Sequence, residues 1–281
     1  MLKQRVMTAI VLLIVLLPAL FYSDPTPFYW IAMALIGAGA WEWSRLNSYG
    51  PKMSLFAAAL CLVASGLAWW VGMLDRELSM LWLVAGTAWV IFGAWSLRGG
   101  VASWSAAPRS IRWVAGLVAL FLAWLAVAQA RTIGINFLLS ILVLVWVADI
   151  SAYFVGRAIG GRVCRRKLAP NISPGKSWEG VWGGMLGVMC LALLWRWVDE
   201  AWGLQVPSLF TQIGQNGVLI LLVEMIFMAA MSVVGDLVES MVKRSASVKD
   251  SSSLLPGHGG VLDRVDALLP TLPLAMFLYS I

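Results

Sequence analysis

The sequence predicts an all-α, polytopic integral membrane protein, and three observations carry that prediction. Hydrophobic residues make up 61% of the chain and charged residues only 12%, with a mean hydropathy of +0.85, outside the range of soluble domains. The apolar residues fall into separate runs, and the 281 residues leave room for about nine spans of roughly 20 residues. The cations collect in alternate loops. No linker is long enough to join a separate soluble domain, so 1–281 is expected to be one membrane-embedded unit.

The runs follow in order. Lys3 and Arg5 precede an apolar run from Val6 to about Tyr22. This resembles a signal peptide, but the run is long and Ser23–Asp24–Pro25 is a poor cleavage site, so an uncleaved first span is expected. A second span covers 27–40 and ends in Trp41–Glu42–Trp43–Ser44–Arg45, read as an aromatic and charged interface stretch. Interface placement explains most of the 17 Trp. Further spans are expected at 55–73, 80–97, 113–130, 137–155, 181–197, 217–235 and 265–281. Glycines within them suit close helix packing. Cys61, Cys164 and Cys190 show no zinc or disulfide spacing and read as packing residues.

Counting Lys and Arg in alternate loops places 17 on one side and only Arg76, Arg131 and Arg196 on the other. The positive-inside rule then puts the N-terminus in the cytoplasm and the C-terminus outside. The net charge of +6 is thereby a topological signature together with a phosphate site, and gives no reason to invoke nucleic acid.

Two loops on the cytoplasmic side concentrate the chemistry. In the first, Asp149 lies inside the sixth apolar run, a costly place that points to function; pairing with Arg157 is the structural alternative. The loop mixes Gly156, Gly160 and Gly161 with six cations, so backbone N–H groups and charges can approach phosphates. Arg165, Arg166 and Lys167 serve equally well as anchors to anionic lipid head groups. Gly175–Lys176–Ser177 looks like the end of a P-loop, yet Pro170 stands where that motif needs glycine. The ATPase reading fails, and Lys176 is kept as a phosphate contact.

The second loop, 240–266, holds four cations, three carboxylates and the only histidine. Asp236, Glu239 or Ser240, and Lys243 recur on one helix face. Ion pairing accounts for Glu239 and Lys243 but poorly for Asp236, which adjoins the apolar run. Pro256–Gly257–His258–Gly259–Gly260 allows positive φ and close backbone approach to a ligand, with His258 either structural or in contact with substrate. Asp263 and Asp266 open the last span. They read either as an N-cap with a first-turn acid or as carboxylates turned toward one metal. Lys243, Arg244, Lys249 and Arg264 supply countercharge for phosphates.

One resemblance is specific. Ser240, Val242, Lys243, Arg244, Lys249, Asp250, Pro256, His258, Gly259, Gly260, Val261, Asp263, Arg264, Val265 and Asp266 match the signature of the phosphatidate cytidylyltransferases without a departure. The loop from Asp149 to Glu179 and the triplet Gly235–Asp236–Leu237 also resemble that family. Residues 1–135 carry little that is diagnostic; 136–281 hold the expected active site.

The resemblance implies reaction of CTP with phosphatidic acid to give CDP-diacylglycerol and pyrophosphate. It also implies dependence on Mg²⁺ held by Asp236, Asp263 and Asp266, and a homodimer. The choice of cytidine rests on the resemblance alone. Asp149, Lys176, Arg244, Lys249, His258 and Arg264 are the expected substrate contacts, and Asp236, Asp263, Asp266 and Lys243 the expected catalytic set. The compact chain suggests a bacterial inner-membrane enzyme surrounded by lipid. Two rivals stay open: a CTP-dependent lipid kinase, and an ion-coupled secondary transporter using intramembrane carboxylates such as Asp149 and Glu224.

Overall fold

The computed structural model describes residues 2–281; the side chains of Lys3 and Arg5 lie outside what it describes. Hydrophobic runs become helices: α1 (Leu2–Phe21), α2 (Thr26–Leu46), α3 (Pro51–Trp70), α4 (Ser79–Ala106), α5 (Arg109–Ile133), α6 (Ile135–Ile159), α7 (Trp178–Trp202) and α9 (Val218–Ser245). Three short helices complete the set: α8 (Leu209–Gly214), α10 (Leu262–Val265) and α11 (Leu268–Tyr279). Among the described residues there is no β-strand, only isolated bridges between Ala169 and Ser173 and between Leu255 and Gly259.

Six helices, α3 to α7 and α9, are long and apolar enough to cross a membrane, and α1 adds a shorter apolar segment at Val6–Phe21. Many of their large apolar side chains face outward, among them Leu55, Ile91, Val118, Phe154, Leu186 and Val223. In a lipid solvent such faces cost nothing. The protein is a polytopic integral membrane protein.

The last expected span is where sequence and structure part. Residues 265–281 do not form one helix; the chain breaks at Asp266 and Ala267 between α10 and α11. With 12 residues, α11 is roughly 18 Å long, short of the roughly 30 Å hydrocarbon core. It is nevertheless enclosed, with Leu269, Leu272, Leu274, Ala275 and Met276 buried against α4, α5 and α9. The break therefore sets Asp266 at the inner end of a short central helix, recessed into the bundle. The second span also differs, since α2 continues past Ala40 and carries Glu42 into the protein.

Hydrogen bonds sort the connections into two ends. At one end Arg131 donates to the Tyr22 carbonyl, Gln129 to the carbonyls of Met73 and Arg76, and Asn136 to Asp199 and the Val206 carbonyl. At the other, Arg109 donates to the Asn47 carbonyl, and Thr8 to the Pro256 carbonyl. The loops between α6 and α7 and between α9 and α10 meet at this second end, where Arg244 donates to the Ile172 carbonyl.

Close approach positions the carboxylates. A side chain at Gly180 or Gly184 would meet the carbonyl oxygens of Ala152 and Ala148 at 2.9 Å, so α7 lies directly on α6 beside Asp149. At Gly235 a Cβ would stand 2.5 Å from the Asp266 carbonyl oxygen. Only glycine lets the break before α11 touch α9, which brings Asp266 next to Asp236.

Candidate active site

Two clusters stand side by side at this end of the bundle. The first joins the α6–α7 loop to α9. Lys176 pairs with Asp236 at 2.5 Å, both side chains about a quarter exposed, and Ser240 donates to the other Asp236 oxygen. Asp149, Lys176 and Asp236 line one cavity, and the Asp266 backbone lies against α9 at Gly235, one residue before Asp236. A cavity of about 340 Å³ opens here, lined by Asp149, Tyr153, Gly156, Arg157, Lys176 and Asp236.

The same loop is closed by a residue that the sequence reading passed over. Ser177 caps α7 by accepting from the Gly180 N–H, and buried Glu179 in the first turn accepts from the backbone of Val163 and Cys164. The basic loop is thereby folded back over the α7 N-terminus. Its signal was an acidic residue in the first helical turn, two positions beyond the capping Ser177. Arg157 donates to the Tyr153 hydroxyl, so the suggested Asp149–Arg157 pair does not form.

The second cluster centres on Asp263. Lys243 pairs with Asp263 at 2.6 Å and with Glu239 at 2.5 Å. The other Asp263 oxygen accepts from the backbone N–H of Ser251 at 2.9 Å, the Ser251 hydroxyl at 2.7 Å and the Gly260 N–H at 2.7 Å. Burial alone would raise the Asp263 pKa, but Lys243 and these donors outweigh it and hold the carboxyl below its ordinary value. The α10 N-cap is Val261, with no side-chain cap, so the N-cap alternative for Asp263 is overturned. Asp263 is the hub on which the glycine loop folds. The Glu239–Lys243 pair is likewise no solvated surface pair: the two side chains are 3% and 12% exposed.

The remaining expected residues hold the loops. Arg264 donates two bonds to the His258 carbonyl; His258 is half-buried, with its Nδ1 buried and unpartnered. Arg244 bridges both loops through the carbonyls of Ile172 and Val248. Lys249 is exposed beside them. Gly257 and Gly259 adopt the expected positive φ, at 77° and 82°.

Among the described residues, no three His, Cys, Asp or Glu side chains converge into metal-ligand geometry. The donor chemistry still fits a hard divalent cation. Asp149 and Asp236 are oxygen donors on one cavity, with Asp266 on the chain that packs against α9 at Gly235, and a cationic ammonium already sits on Asp236. Asp263 fits less well, since both its oxygens are engaged.

Beyond the polar clusters, an apolar cavity of about 330 Å³ lies between α4, α5 and α9, with Trp89, Phe92, Leu120, Val238 and Glu239 among its walls. A further cavity of about 460 Å³ lies at the opposite end, lined by Asp75, Arg76, Glu77 and Gln129, remote from either cluster.

Known proteins resemble this chain over its whole length. Residues 3–281 match the sequence profile described as the Cytidylyltransferase family. A phosphatidate cytidylyltransferase of Pseudomonas aeruginosa is 37% identical over 279 residues, covering 97% of this chain and 95% of that protein. One of Haemophilus influenzae is 35% identical across 99% of both chains. In a third, from Bacillus subtilis, 38% identity is confined to 148 residues, or 53% of this chain. Similarity of this extent, joined to two charged loops meeting above a bundle of apolar helices, makes the chain a member of the cytidylyltransferase family.

Proposed function

We propose that this protein transfers CMP from CTP to phosphatidic acid, forming CDP-diacylglycerol and releasing pyrophosphate. The observation that carries the reading is the meeting of Lys176–Asp236 with Lys243–Asp263, two ion pairs from separate loops, at one end of a membrane bundle. The named activity of the full-length relatives supports it. The apolar cavity reaching Glu239 suits the acyl chains of a lipid whose phosphate lies at the polar clusters.

The reaction joins two polyanions. A phosphate oxygen of phosphatidic acid attacks the α-phosphorus of CTP, a new P–O bond forms, and the bond to pyrophosphate breaks. The lipid phosphate is already ionised at neutral pH, so no protein nucleophile is needed. Lys176 lines the cavity and can exchange Asp236 for a phosphate oxygen; Arg244 and Lys249 add countercharge at the loop surface. Lys243 and Arg264 act differently, holding Asp263 and the His258 carbonyl so that the glycine loop keeps its shape. Asp236 and Asp266, with Asp149 beside them, would hold Mg²⁺, which when bound supplies charge neutralisation between the two substrates. Asp263, expected as a third ligand, is proposed to orient that group.

The excess of 17 cations over three supports a cytoplasmic site and an external C-terminus. The homodimer is part of the same proposal and is read from the particle mass in nanodiscs. The reaction is tested by an omission series: pyrophosphate release should require CTP, phosphatidic acid and Mg²⁺ together. Release without the lipid would sink it, and CDP release with a newly phosphorylated lipid would establish the kinase.

A further inference from the structure

Glu42 belongs to α2, far in sequence from either charged loop, and is 0% exposed. Its Oε1 accepts from the Ser252 hydroxyl at 2.5 Å and the Val261 N–H at 2.9 Å; its Oε2 accepts from the Ser251 hydroxyl at 3.2 Å and the Leu262 N–H at 2.8 Å. These four donors come from both flanks of the glycine loop. Among the described residues no cation pairs with Glu42.

A buried carboxylate without a countercharge is costly unless several donors converge on it. Here two are backbone N–H groups at the start of α10, whose N-cap residue Val261 offers no side-chain acceptor of its own. A side chain at Gly260 would collide with Glu42 and Ser251, so that glycine makes room for the carboxylate. The single Ser251 hydroxyl proton lies between two carboxylates, 2.7 Å from Asp263 and 3.2 Å from Glu42, and serves one of them at a time. Glu42 therefore ties down the two ends of the loop whose middle Asp263 organises.

We propose that Glu42 is a positioning residue of the reaction: from α2 it fixes the segments on either side of the His258 loop, and so sets where Asp263 and Asp266 stand relative to Asp236 and Lys176. The N-terminal helices then contribute to turnover through a carboxylate that never meets substrate. This inference rests on the reaction proposed above.

Glu42→Gln preserves size but replaces one acceptor oxygen by an NH₂ group. The serine hydroxyls can rotate to accept from it; the N–H of Val261 or Leu262 cannot, and one loses its partner. Leaving one buried N–H unpaired predicts a fall in kcat of roughly tenfold, with the KM for CTP within about twofold, because Lys176 and Arg244 are untouched.

The test uses the full-length protein in nanodiscs, comparing wild type with Glu42→Gln and Ser252→Ala. Kinetics with CTP and phosphatidic acid are measured beside amide hydrogen exchange. The expected result is a lower kcat with faster exchange confined to residues around 251–262, and a smaller change in the same direction for Ser252→Ala. Wild-type kcat in Glu42→Gln would overturn the proposal. So would a loss of activity accompanied by faster exchange throughout the bundle, which marks a structural role only. Should Glu42→Gln not fold, Ser252→Ala decides: unchanged kcat and unchanged loop exchange reject the tether. An inactive wild type with loop-confined exchange in the variants would reject the reaction while leaving the tether standing.

Discussion

Replacing Asp263 by Asn separates a loop-organising carboxylate from a free metal ligand. The Lys243–Asp263 pair is 2.6 Å long, with side chains 12% and 6% exposed, so solvent screens it little. The other Asp263 oxygen takes three donors from Ser251 and Gly260. Asn can keep those three by presenting its carbonyl there, but its NH₂ then faces the Lys243 ammonium. Glu239 still pairs with Lys243, so the full cost of an abandoned buried charge is not incurred. What is lost is one charge-assisted hydrogen bond, and the expected destabilisation is about 2–3 kcal/mol. Equilibrium unfolding in mixed micelles, in EDTA and again in Mg²⁺, measures it. The deficit should be present in EDTA, with turnover strongly reduced in Mg²⁺. Wild-type stability in EDTA, with a deficit only when Mg²⁺ is added, would refute the hub and restore Asp263 as a direct ligand.

Other outcomes follow from the same geometry. Lys176→Ala should lower kcat/KM for CTP on the order of a hundredfold, as losing one charge-stabilising group does, without altering melting temperature by more than a few degrees; unchanged kinetics would remove Lys176 from the site. Asp236→Asn should abolish turnover while the protein inserts and folds normally, and wild-type activity at ordinary Mg²⁺ would exclude it as an essential ligand. Gly235→Ala should inactivate, because a Cβ there stands 2.5 Å from the Asp266 carbonyl oxygen; an active, equally stable variant would show that α9 and the α11 start can separate. In a cysteine-free background, Ser253→Cys, an exposed position in the glycine loop, should label only from the cytoplasmic face, and external labelling would invert the topology.

Much of the fold was legible because spans announce themselves by composition: each expected apolar run contains a helix. What misled was the continuity of apolar residues from Val265 onward. Composition cannot show that the chain breaks at Asp266, because a short buried helix and a true span share the same hydrophobicity. The charged loops were legible as a site, since cations and carboxylates concentrated beside apolar runs have few other reasons to be there. Their internal wiring was not. Asp263 and Asp266 look alike in sequence, yet one is saturated by Lys243, Ser251 and Gly260 and the other sits beside Asp236. Glu42 was hidden among interface tryptophans, although a carboxylate at the end of an apolar run was signal enough to ask what partners it. Those partners lie more than 200 residues away, a distance no local pattern spans.

In the proposed reaction the nucleotide's α-phosphorus, and not its γ-phosphorus, is transferred to the lipid. The direct measurement supplies the purified protein with phosphatidic acid, Mg²⁺ and CTP labelled at either the α or the γ position, then separates lipid from aqueous phases. The α-label should enter the lipid phase as CDP-diacylglycerol, with the γ-label wholly in aqueous pyrophosphate. Gamma-label in the lipid, or α-label left entirely in water while phosphatidic acid is consumed, would contradict that reaction.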